Sequence, residues 1–383
     1  MLIDIHMLQN HQPSNLNRDD TGAPKDAVFG GNRRGRISSQ CLKRSVRRSV
    51  VFREAFDPEQ LAMRTQLLPQ LLDEAMARLG VESELRQAVV QRAPEIGTES
   101  GKGAKAEAGD DDTDTAVTEA TPSTGETNQL IFISPEEVER LAQALVAVCR
   151  ELTPKKFLKA KIADITKAVA KGGQPLPRSI DIAMFGRMTT SVAFENVSAA
   201  VQVAHALSTN RLDSEFDYFT AVDDISGQSG AGMIGDVEFN SATYYKYFSV
   251  HWDDLVRNLA GDADMARRAV RALIEAAAMS NPSGKQNSFA AHNPPDLVLV
   301  EIRTRNIPLS YANAFLKPCR TGDGKSLMDA SVTALADYLG RIVTMYALEG
   351  QRFHADTGRW DLPDSTRSSS FGALLDEVEK RLS

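Results

Sequence analysis

The sequence predicts an α+β protein whose sheet is interrupted by a large helical insertion. Three observations lead to this expectation: an alternating strand pattern at the N-terminus, helical periodicity from residue 50 to 175, and a return to strand patterns from Ile180 onward. This order of elements is what an interrupted α+β sandwich gives. The 383 residues exceed one compact core and allow up to about three domains.

The first predicted strand extends from Leu2 to Leu8. Its residues alternate between apolar and polar, with Ile3, Ile5 and Met7 on one side and Asp4 and His6 on the other. Such alternation is typical of an amphipathic strand. We expect His6 to be packed or hydrogen-bonded rather than to act as a general base.

A basic segment without any acidic residue follows between Ala27 and Arg53. Its eight cationic residues are Arg33, Arg34, Arg36, Lys43, Arg44, Arg47, Arg48 and Arg53. A cluster of this density favours contact with a polyanion. The alternative is a solvated face whose carboxylate partners come from elsewhere in the fold. The glycines of the predicted loop from Phe29 to Arg36 would let its backbone approach a ligand closely.

The first helix is predicted to begin at the hydroxyl-rich stretch Ile37-Ser38-Ser39-Gln40. The helical wheel places Leu42, Val46, Val50 and Phe52 on one arc and Gln40, Lys43, Arg44, Arg47 and Arg48 on the opposite one. One side should pack and the other should be basic. Outward-pointing N–H groups at Ser38 and Ser39 would form a phosphate site at the helix start.

Three further helix starts are predicted in the insertion. They are Asp57-Pro58, leading through Leu61, Leu68, Leu72 and Leu79; Ser134-Pro135-Glu136-Glu137, a capping box; and Thr153-Pro154. The third helix should carry Lys155, Lys156, Lys159 and Lys167 on one stripe and Leu158, Ile162, Ile165 and Val169 on another. The lysine stripe is a second candidate polyanion contact.

Residues 94 to 128 form an acidic segment of nine acids and two lysines, a net charge of −7 that equals the charge of the whole chain. It contains almost no large apolar residue and cannot bury enough surface to offset its ordering entropy. We predict a disordered linker.

Beyond the insertion the pattern predicts strands at Ile180–Met184, Thr243–Val250 and Leu297–Ile302, with helices at Val197–Asn210 and Asp253–Met279. A long glycine-containing loop should connect Asn210 to Thr243. Loops of this length within a domain are uncommon and are often functional.

Several function classes find no support in the sequence. No apolar run is long enough for a membrane helix, and no secretory leader is visible, so we expect a cytoplasmic protein. Cys41, Cys149 and Cys319 are too far apart for a zinc knuckle or a disulfide framework. No common catalytic motif is present. Asp19-Asp20 and Asp223-Asp224 could hold Mg²⁺, although adjacent aspartates in loops are more often turn residues.

Few aromatic residues are available to stack on bases, and no RNP1-type motif is visible. Because phosphate contacts position a nucleic acid without reading its sequence, the residues indicate a protein that follows the backbone and leaves the bases free.

Several stretches of the sequence resemble the CasC-type backbone subunits of the type I-E CRISPR surveillance complex, Cascade. They are Leu16-Asn17-Arg18-Asp19-Asp20, Lys25 to Gly31, Arg36 to Gln40, Leu42-Lys43-Arg44, Asp181 to Met188, Ala204-His205-Ala206, Phe219 to Asp224, Ala290 to Pro294 and Pro308 to Phe315. These stretches cover a little over a quarter of the chain and occur in order from end to end.

The resemblance implies a hand-shaped protein. It has an RRM-like (ferredoxin-like) palm of residues 1–49, 176–206 and 241–383, a helical fingers insertion of residues 50–175, and a protruding thumb loop of residues 207–240. Several copies stack along the guide RNA (crRNA), and the thumb of one copy displaces one base at regular intervals. The implied partners are crRNA, further copies of the chain, other Cascade subunits and target DNA, with no cofactor, no metal and no catalytic residue.

The resemblance also implies site residues. Ser38, Gln40, Lys43 and Arg47 match the phosphate-gripping helix, and Arg18 and Lys25 match the loop before it. Arg187 and Met188 match the segment beneath the guide, with Met188 a wedge beside the displaced base. Tyr218, Phe219 and Thr220 match the thumb, where Tyr218 replaces a tryptophan. Lys155, Lys156 and Lys159 match a lysine row that touches target DNA, and Ile162 replaces the fourth lysine of that row.

Two alternatives to this noncatalytic scaffold stay open. One is a metal-dependent ribonuclease of the related backbone class, in which a loop aspartate such as Asp19 or Asp20 cuts paired RNA. The other is a solitary nucleic-acid chaperone that forms no filament.

Overall fold

The computed structural model describes residues 1–96, 125–127, 130–171, 179–189, 191–222, 231–322 and 324–382. These residues form twelve strands and thirteen α-helices. The strands are β1 Leu2–Ser14, β2 Asp26–Phe29, β3 Asn32–Ile37, β4 Met63–Thr65, β5 Ile131–Ile133, β6 Val201–Val203, β7 Ala206–Ser208, β8 Glu215–Val222, β9 Ala231–His251, β10 Leu297–Arg303, β11 Gln351–Asp356 and β12 Thr366–Arg367.

The helices are α1 Ser39–Arg48, α2 Val50–Glu54, α3 Leu68–Arg78, α4 Ser83–Arg92, α5 Pro135–Leu152, α6 Pro154–Phe157, α7 Ile162–Lys171, α8 Ile180–Phe185, α9 Trp252–Asn258, α10 Ala263–Met279, α11 Gln286–Phe289, α12 Leu327–Tyr346 and α13 Phe371–Arg381. In the described ranges no helix has both the length and the apolar character needed to cross a membrane.

The chain divides into two compact units. The first unit comprises Met1–Phe52, Val201–Trp252 and Arg267–Ser383, and the second comprises Arg53–Ala200 and Asp253–Ala266. Together with the mixture of sheet and helices, this confirms the predicted α+β class.

A large sheet forms the first unit, with the strand order β12-β11-β10-β1-β9-β7-β3-β2, while β6 and β8 also pair with β9. β1 is antiparallel to both β10 and β9, with Ile5 opposite Val300 on one side and Phe248 on the other. The strands predicted at Thr243–Val250 and Leu297–Ile302 are therefore confirmed, and the first of them extends back to Ala231.

β1 differs from the prediction because both of its faces are buried. Asp4 and His6 are as fully buried as the neighbouring Ile3, Ile5 and Met7. Tyr247 donates a hydrogen bond of 2.8 Å to Asp4, Arg303 pairs with the same carboxylate, and His6 Nδ1 lies 2.7 Å from the hydroxyl of Tyr245. Packing and hydrogen bonding of His6 are confirmed.

Four predictions for the chain beyond the helical insertion are wrong or incomplete. Ile180–Met184 lies in helix α8, not in a strand, and the helix expected at 197–210 is replaced by β6 and β7. The helix expected at 253–279 is two helices, α9 and α10. The long connection to Thr243 is not a loop, because β8 and β9 pair there as an antiparallel hairpin.

The second unit is mainly helical, as predicted for residues 50–175. Its core joins apolar residues of α3, α4 and α5 with Phe157, Ile165 and Val169. The capping box at Ser134 is confirmed. Asp57-Pro58 begins only a short 3₁₀ turn, the helix expected from Thr153 is divided into α6 and α7, and β4 pairs with β5 in a small sheet that the periodicity did not predict.

The acidic segment predicted to be disordered lies largely outside the described residues. Its first residues, Pro94 to Ile96, belong to a short 3₁₀ helix and the turn after it, and Ile96 is fully buried.

His11 is a titratable group in the core of the first unit. It is fully buried, neither ring nitrogen has a hydrogen-bond partner among the described residues, and its ring packs edge-on against Tyr244. Burial, together with the nearby Lys246 cation, lowers the pKa of His11 from 6.5 to about 3.

We expect mild acid to destabilise the protein through His11. The unfolded chain binds a proton at this residue below pH 6.5 and the folded protein only near pH 3, so this stability is complete above 6.5 and falls as the pH drops toward 3. At about pH 4.5 the free energy of unfolding should be lower by about 2–3 kcal/mol than at neutral pH. Urea unfolding at both pH values measures the loss.

The replacement His11→Leu should remove this part of the pH dependence. The exposed His292 offers a matched control, since His292→Gln should retain the full decrease. An identical decrease in the His11→Leu variant would contradict the assignment.

Candidate nucleic-acid interface

Helix α1 presents one packed side and one cationic side. Its N-cap is Ser38, whose Oγ accepts a hydrogen bond of 3.2 Å from the Cys41 N–H. Leu42 and Val46 are buried. The polar side carries half-exposed Gln40, Lys43 and Arg47 and exposed Arg44 and Arg48. The predicted start of the helix and its two-sided character are confirmed.

The predicted continuation of the packed arc is only half correct. α1 ends at Arg48, and α2 begins at Val50. Phe52 is buried, whereas Val50 is 67% exposed because the chain changes direction between the two helices.

The helix start does not offer the outward N–H groups that the sequence predicted. Ser38 and Ser39 are both buried. The Ser38 N–H donates a hydrogen bond of 2.8 Å to the Asn17 side chain. Ser38 therefore caps the helix and positions the residues that follow it, and its contact with phosphate stays a prediction.

Asn17 connects the preceding loop to α1, and the sequence analysis did not identify it as a site residue. While its side chain accepts from Ser38, its carbonyl oxygen accepts a hydrogen bond of 2.8 Å from the Lys25 N–H. Arg18 forms a backbone bridge with Pro24 in the same loop. The half-exposed side chains of Arg18 and Lys25 consequently belong to a loop that is fixed to the start of the helix.

The basic residues of the β2–β3 hairpin have different environments. Arg34 is fully buried and donates to backbone carbonyls. Arg33 pairs with Asp26, which lies just before the acid-free segment, and the Arg36 Nε donates to the Asp26 carbonyl at 3.1 Å. Carboxylate pairing, the alternative reading of the basic segment, therefore holds for Arg33. Arg44 and Arg48 of α1 are exposed, so the phosphate-contact interpretation stays a prediction for this helix.

Arg187 is a structural residue of the second unit. It is only 8% exposed and forms an ion pair of 2.8 Å with Glu137. Its remaining N–H groups donate to the carbonyls of Phe132 and Glu195. The guanidinium of Arg187 is therefore occupied inside the protein, and its contact with RNA stays a prediction. The adjacent Met188 is 81% exposed and can reach a ligand.

The β8–β9 hairpin exposes an unusual number of large apolar residues. Tyr218 is 65% and Phe219 38% exposed, and Thr220 is also exposed. The other exposed members of this patch are Phe216, Met233 and Ile234. Gly235 lies opposite Phe219 in the register, and a Cβ atom there would lie 2.6 Å from its ring. The hairpin therefore offers aromatic side chains in the place where the resemblance puts the thumb.

The lysines that the structure describes in the second unit are all exposed. Lys155 and Lys156 lie on α6, and Lys159 follows it. Lys161, Lys167 and Lys171 are exposed as well and extend the group. Lys161 lies in the turn between α6 and α7. The sequence predicted a single helix over this region, and Lys161 was not on the predicted lysine stripe of that helix.

The aspartates considered as metal ligands divide into two groups. Asp19 Oδ1 accepts hydrogen bonds from the N–H and hydroxyl of Thr21 and from the Ala23 N–H. The hydrogen bond from Thr21 is the main reason why the pKa of Asp19 is lowered. Its interpretation as a turn residue is confirmed. Asp223 and Asp224 lie outside the described residues.

Fold and surface together define an α+β protein with a cationic helix beside the edge of its sheet and an exposed aromatic hairpin. Residues 3–380 match the family described as CT1975-like protein. The chain belongs to this family. A comparison with curated proteins gives no match.

Two solved structures are similar over the full length of the chain. One, titled "CRISPR RNA-guided surveillance complex, pre-nicking", is 30% identical with a TM-score of 0.79, and the match covers 100% of both chains. The other, titled "CRISPR RNA-guided surveillance complex", is 26% identical with a TM-score of 0.61, and the match covers 100% of this chain and 99% of the other.

Proposed function

We propose that this chain is the noncatalytic guide-RNA-binding subunit of a type I-E-like Cascade, in which copies of it stack along crRNA as the backbone of the complex. The observation that carries the proposal is the cationic side of α1 beside the loop fixed by Asn17. The family and the similarity to chains of CRISPR RNA-guided surveillance complexes support a role in such an assembly.

The strand order supports the RRM-like palm that the resemblance implies. Four strands of the large sheet are neighbours in the order β10-β1-β9-β7. Along the chain, α1 lies between β1 and β7, and α10 lies between β9 and β10. This arrangement corresponds to the β-α-β-β-α-β succession of ferredoxin-like folds. The fingers insertion then separates α1 from β6, and the β8–β9 hairpin takes the place of the thumb.

A phosphate grip suits a protein that has to hold any guide. Phosphates are the part that all guides share, and contacts to them leave base edges available for pairing with target DNA. In the proposal, Gln40, Lys43 and Arg47 contact the guide, aided by Arg18 and Lys25. One subunit would bind weakly, but copies on one strand gain through effective concentration.

The exposed apolar side chains have a separate role in the proposal. Met188 and the hairpin residues Tyr218, Phe219 and Thr220 contact and displace a base at intervals, since aromatic faces stack on any base. Lys155, Lys156 and Lys159 contact the phosphates of target DNA, and Lys161 adds a cation to their row.

The mass of the particle formed with RNA tests this proposal. Mixing the purified protein with guide RNAs of increasing length should give particles that contain several protein copies, with the copy number rising with RNA length. Sedimentation equilibrium measures both. One copy per RNA at every length would contradict the backbone role and favour the solitary chaperone.

The same particles test the noncatalytic assignment. Incubated with complementary RNA and Mg²⁺, they should leave that RNA intact. Regularly spaced cleavage that is lost in the Asp19→Ala or Asp20→Ala variant would instead identify the ribonuclease.

A further inference from the structure

Arg34 joins two segments that are distant in sequence. It is fully buried on β3, and its guanidinium donates to the carbonyls of Ser208 at 2.8 Å, Thr209 at 2.9 Å and Phe315 at 2.6 Å, with a longer bond of 3.3 Å to Leu316. These four acceptors fix the chain just before residue 211 and just before residue 317.

Each fixed segment continues into exposed cations. Asn210 and Cys319 form a parallel backbone bridge, supported by a hydrogen bond of 2.9 Å from the Cys319 N–H to the Thr209 carbonyl. The next residue on each side, Arg211 and Arg320, is exposed. Because bridged backbones lie about 5 Å apart, these two arginines stand side by side.

Lys317 adds a third cation at the turn of the β2–β3 hairpin. Gly30 in that turn has a φ of +57°, and a Cβ atom there would lie 2.0 Å from the Leu316 carbonyl oxygen. Only glycine permits this approach, so the backbone before Lys317 lies directly against the turn. Lys317 itself is exposed.

We call these three residues, Arg211, Lys317 and Arg320, the Arg34-held ridge. Arg211 lies 4.0 Å from Asp213, and both side chains are largely exposed. Within the described ranges neither Lys317 nor Arg320 has a carboxylate partner. Such a concentration of one charge favours a polyanion.

The ridge and the cationic side of α1 lie toward opposite ends of one strand. β3 begins at the hairpin turn and ends immediately before Ser38, the N-cap of α1. Ser38 lies five positions after Arg33, which corresponds to about 17 Å of extended chain. With a rise of about 3.4 Å per nucleotide, as in one strand of a duplex, this distance spans roughly five nucleotides.

We propose that the Arg34-held ridge is a second phosphate-binding element for the same single-stranded RNA that α1 holds. The inference rests on the proposed function. Continuity with the α1 surface through β3 favours RNA over an acidic protein surface, and the planar guanidinium forks of Arg211 and Arg320 match phosphate geometry. The buried Arg34 is a positioning residue that fixes the distance between the two arginine-bearing segments.

The salt dependence of RNA binding tests the ridge. A labelled oligouridine RNA, short enough to hold one copy, is titrated with protein at several salt concentrations, and binding is followed by fluorescence anisotropy. Each lost phosphate contact lowers the slope of log affinity against log salt by about 0.7. The triple variant Arg211→Gln, Lys317→Gln and Arg320→Gln should therefore lower the slope by about 2.

A matched triple variant controls for the change in net charge. Arg341, Arg359 and Lys380 are exposed and follow β10 in the chain: Arg341 lies on α12, Arg359 follows β11, and Lys380 lies on α13, which packs against β11. Replacing all three with Gln should leave the slope nearly unchanged. The Lys43→Gln and Arg47→Gln double variant tests α1 in the same assay.

The outcomes separate the two proposals. A wild-type protein that does not bind the RNA contradicts the proposed function itself. Binding that depends on Lys43 and Arg47 but not on the ridge overturns only the ridge. An unchanged RNA slope together with loss of RNA-free self-association in the ridge variant also overturns it, and assigns the ridge to an acidic surface of a second copy.

Discussion

Reversing the charges of Lys43 and Arg47 together should abolish guide-dependent assembly while leaving the subunit folded. Both residues lie on the half-exposed side of α1, away from the buried Leu42 and Val46. The double variant Lys43→Glu and Arg47→Glu removes two phosphate contacts, which lowers the salt slope by about 1.4 per copy, and adds repulsion between carboxylates and phosphates. Because every copy on the strand suffers the same loss, the filament should not form at physiological salt.

Sedimentation with guide RNA measures this effect, and circular dichroism with thermal melting verifies the fold. Both side chains lie on the half-exposed side of α1 and outside the core, so the variant should retain a cooperative unfolding transition. The matched variant Arg341→Glu and Lys380→Glu makes the same change in net charge elsewhere. Normal assembly of the α1 variant would reject the proposed function.

Replacing Arg34 with Met should lower the free energy of unfolding by about 3–5 kcal/mol, the largest stability effect we expect from one basic residue. Met fills much of the same volume but donates no hydrogen bond. Three buried carbonyls and the partly buried carbonyl of Leu316 would lose their charged donor. Hydrogen bonds to charged groups contribute about 1.5–3 kcal/mol each before relaxation. Urea unfolding of both proteins measures the difference.

The neighbouring Arg33 provides the control. Its ion pair with Asp26 is exposed, so Arg33→Met should cost less than about 1 kcal/mol. If the Arg34→Met protein folds, its salt slope should also fall, since the segments before Arg211 and Lys317 are no longer held together. An Arg34→Met protein as stable as Arg33→Met would contradict the structural role of Arg34.

The contrast between these two arginines shows where sequence reasoning reaches its limit. Arg33 and Arg34 are adjacent and of one type, and nothing local distinguishes the exposed one from the buried one. The carbonyls that accept from Arg34 come from residues more than 170 positions away. Only the tertiary fold brings them to β3.

Local signals predicted the elements that have local causes. A hydroxyl cap followed by helical periodicity identified α1, and a capping box identified the start of α5. The short apolar run at 180–184 fits helix and strand equally well. A glycine directly after this run, Gly186, is the sequence feature that favours a helix ending there. In the structure Gly186 follows α8 with a φ of +78°.

The strands β6 and β7 could not be predicted from periodicity. Each has only three residues, too few for an alternating pattern, and both exist because β9 offers them hydrogen-bond partners. Asp4 and His6 of β1 suggested a strand with one exposed face, although both side chains are buried, for a related reason. Their buried partners, among them Tyr245, Tyr247 and Arg303, lie more than 200 residues later in the chain.

The length of β9 has a mechanical consequence. This single strand of 21 residues pairs with β8 in the exposed hairpin and with β1 in the middle of the sheet. Tension applied to the hairpin would thus load the central hydrogen-bond ladders directly, because one continuous strand belongs to both. Bending or pulling an RNA strand bound to the hairpin should transmit force to the central strands of the sheet. Stretching by optical tweezers should then show one rupture of these strands at high force.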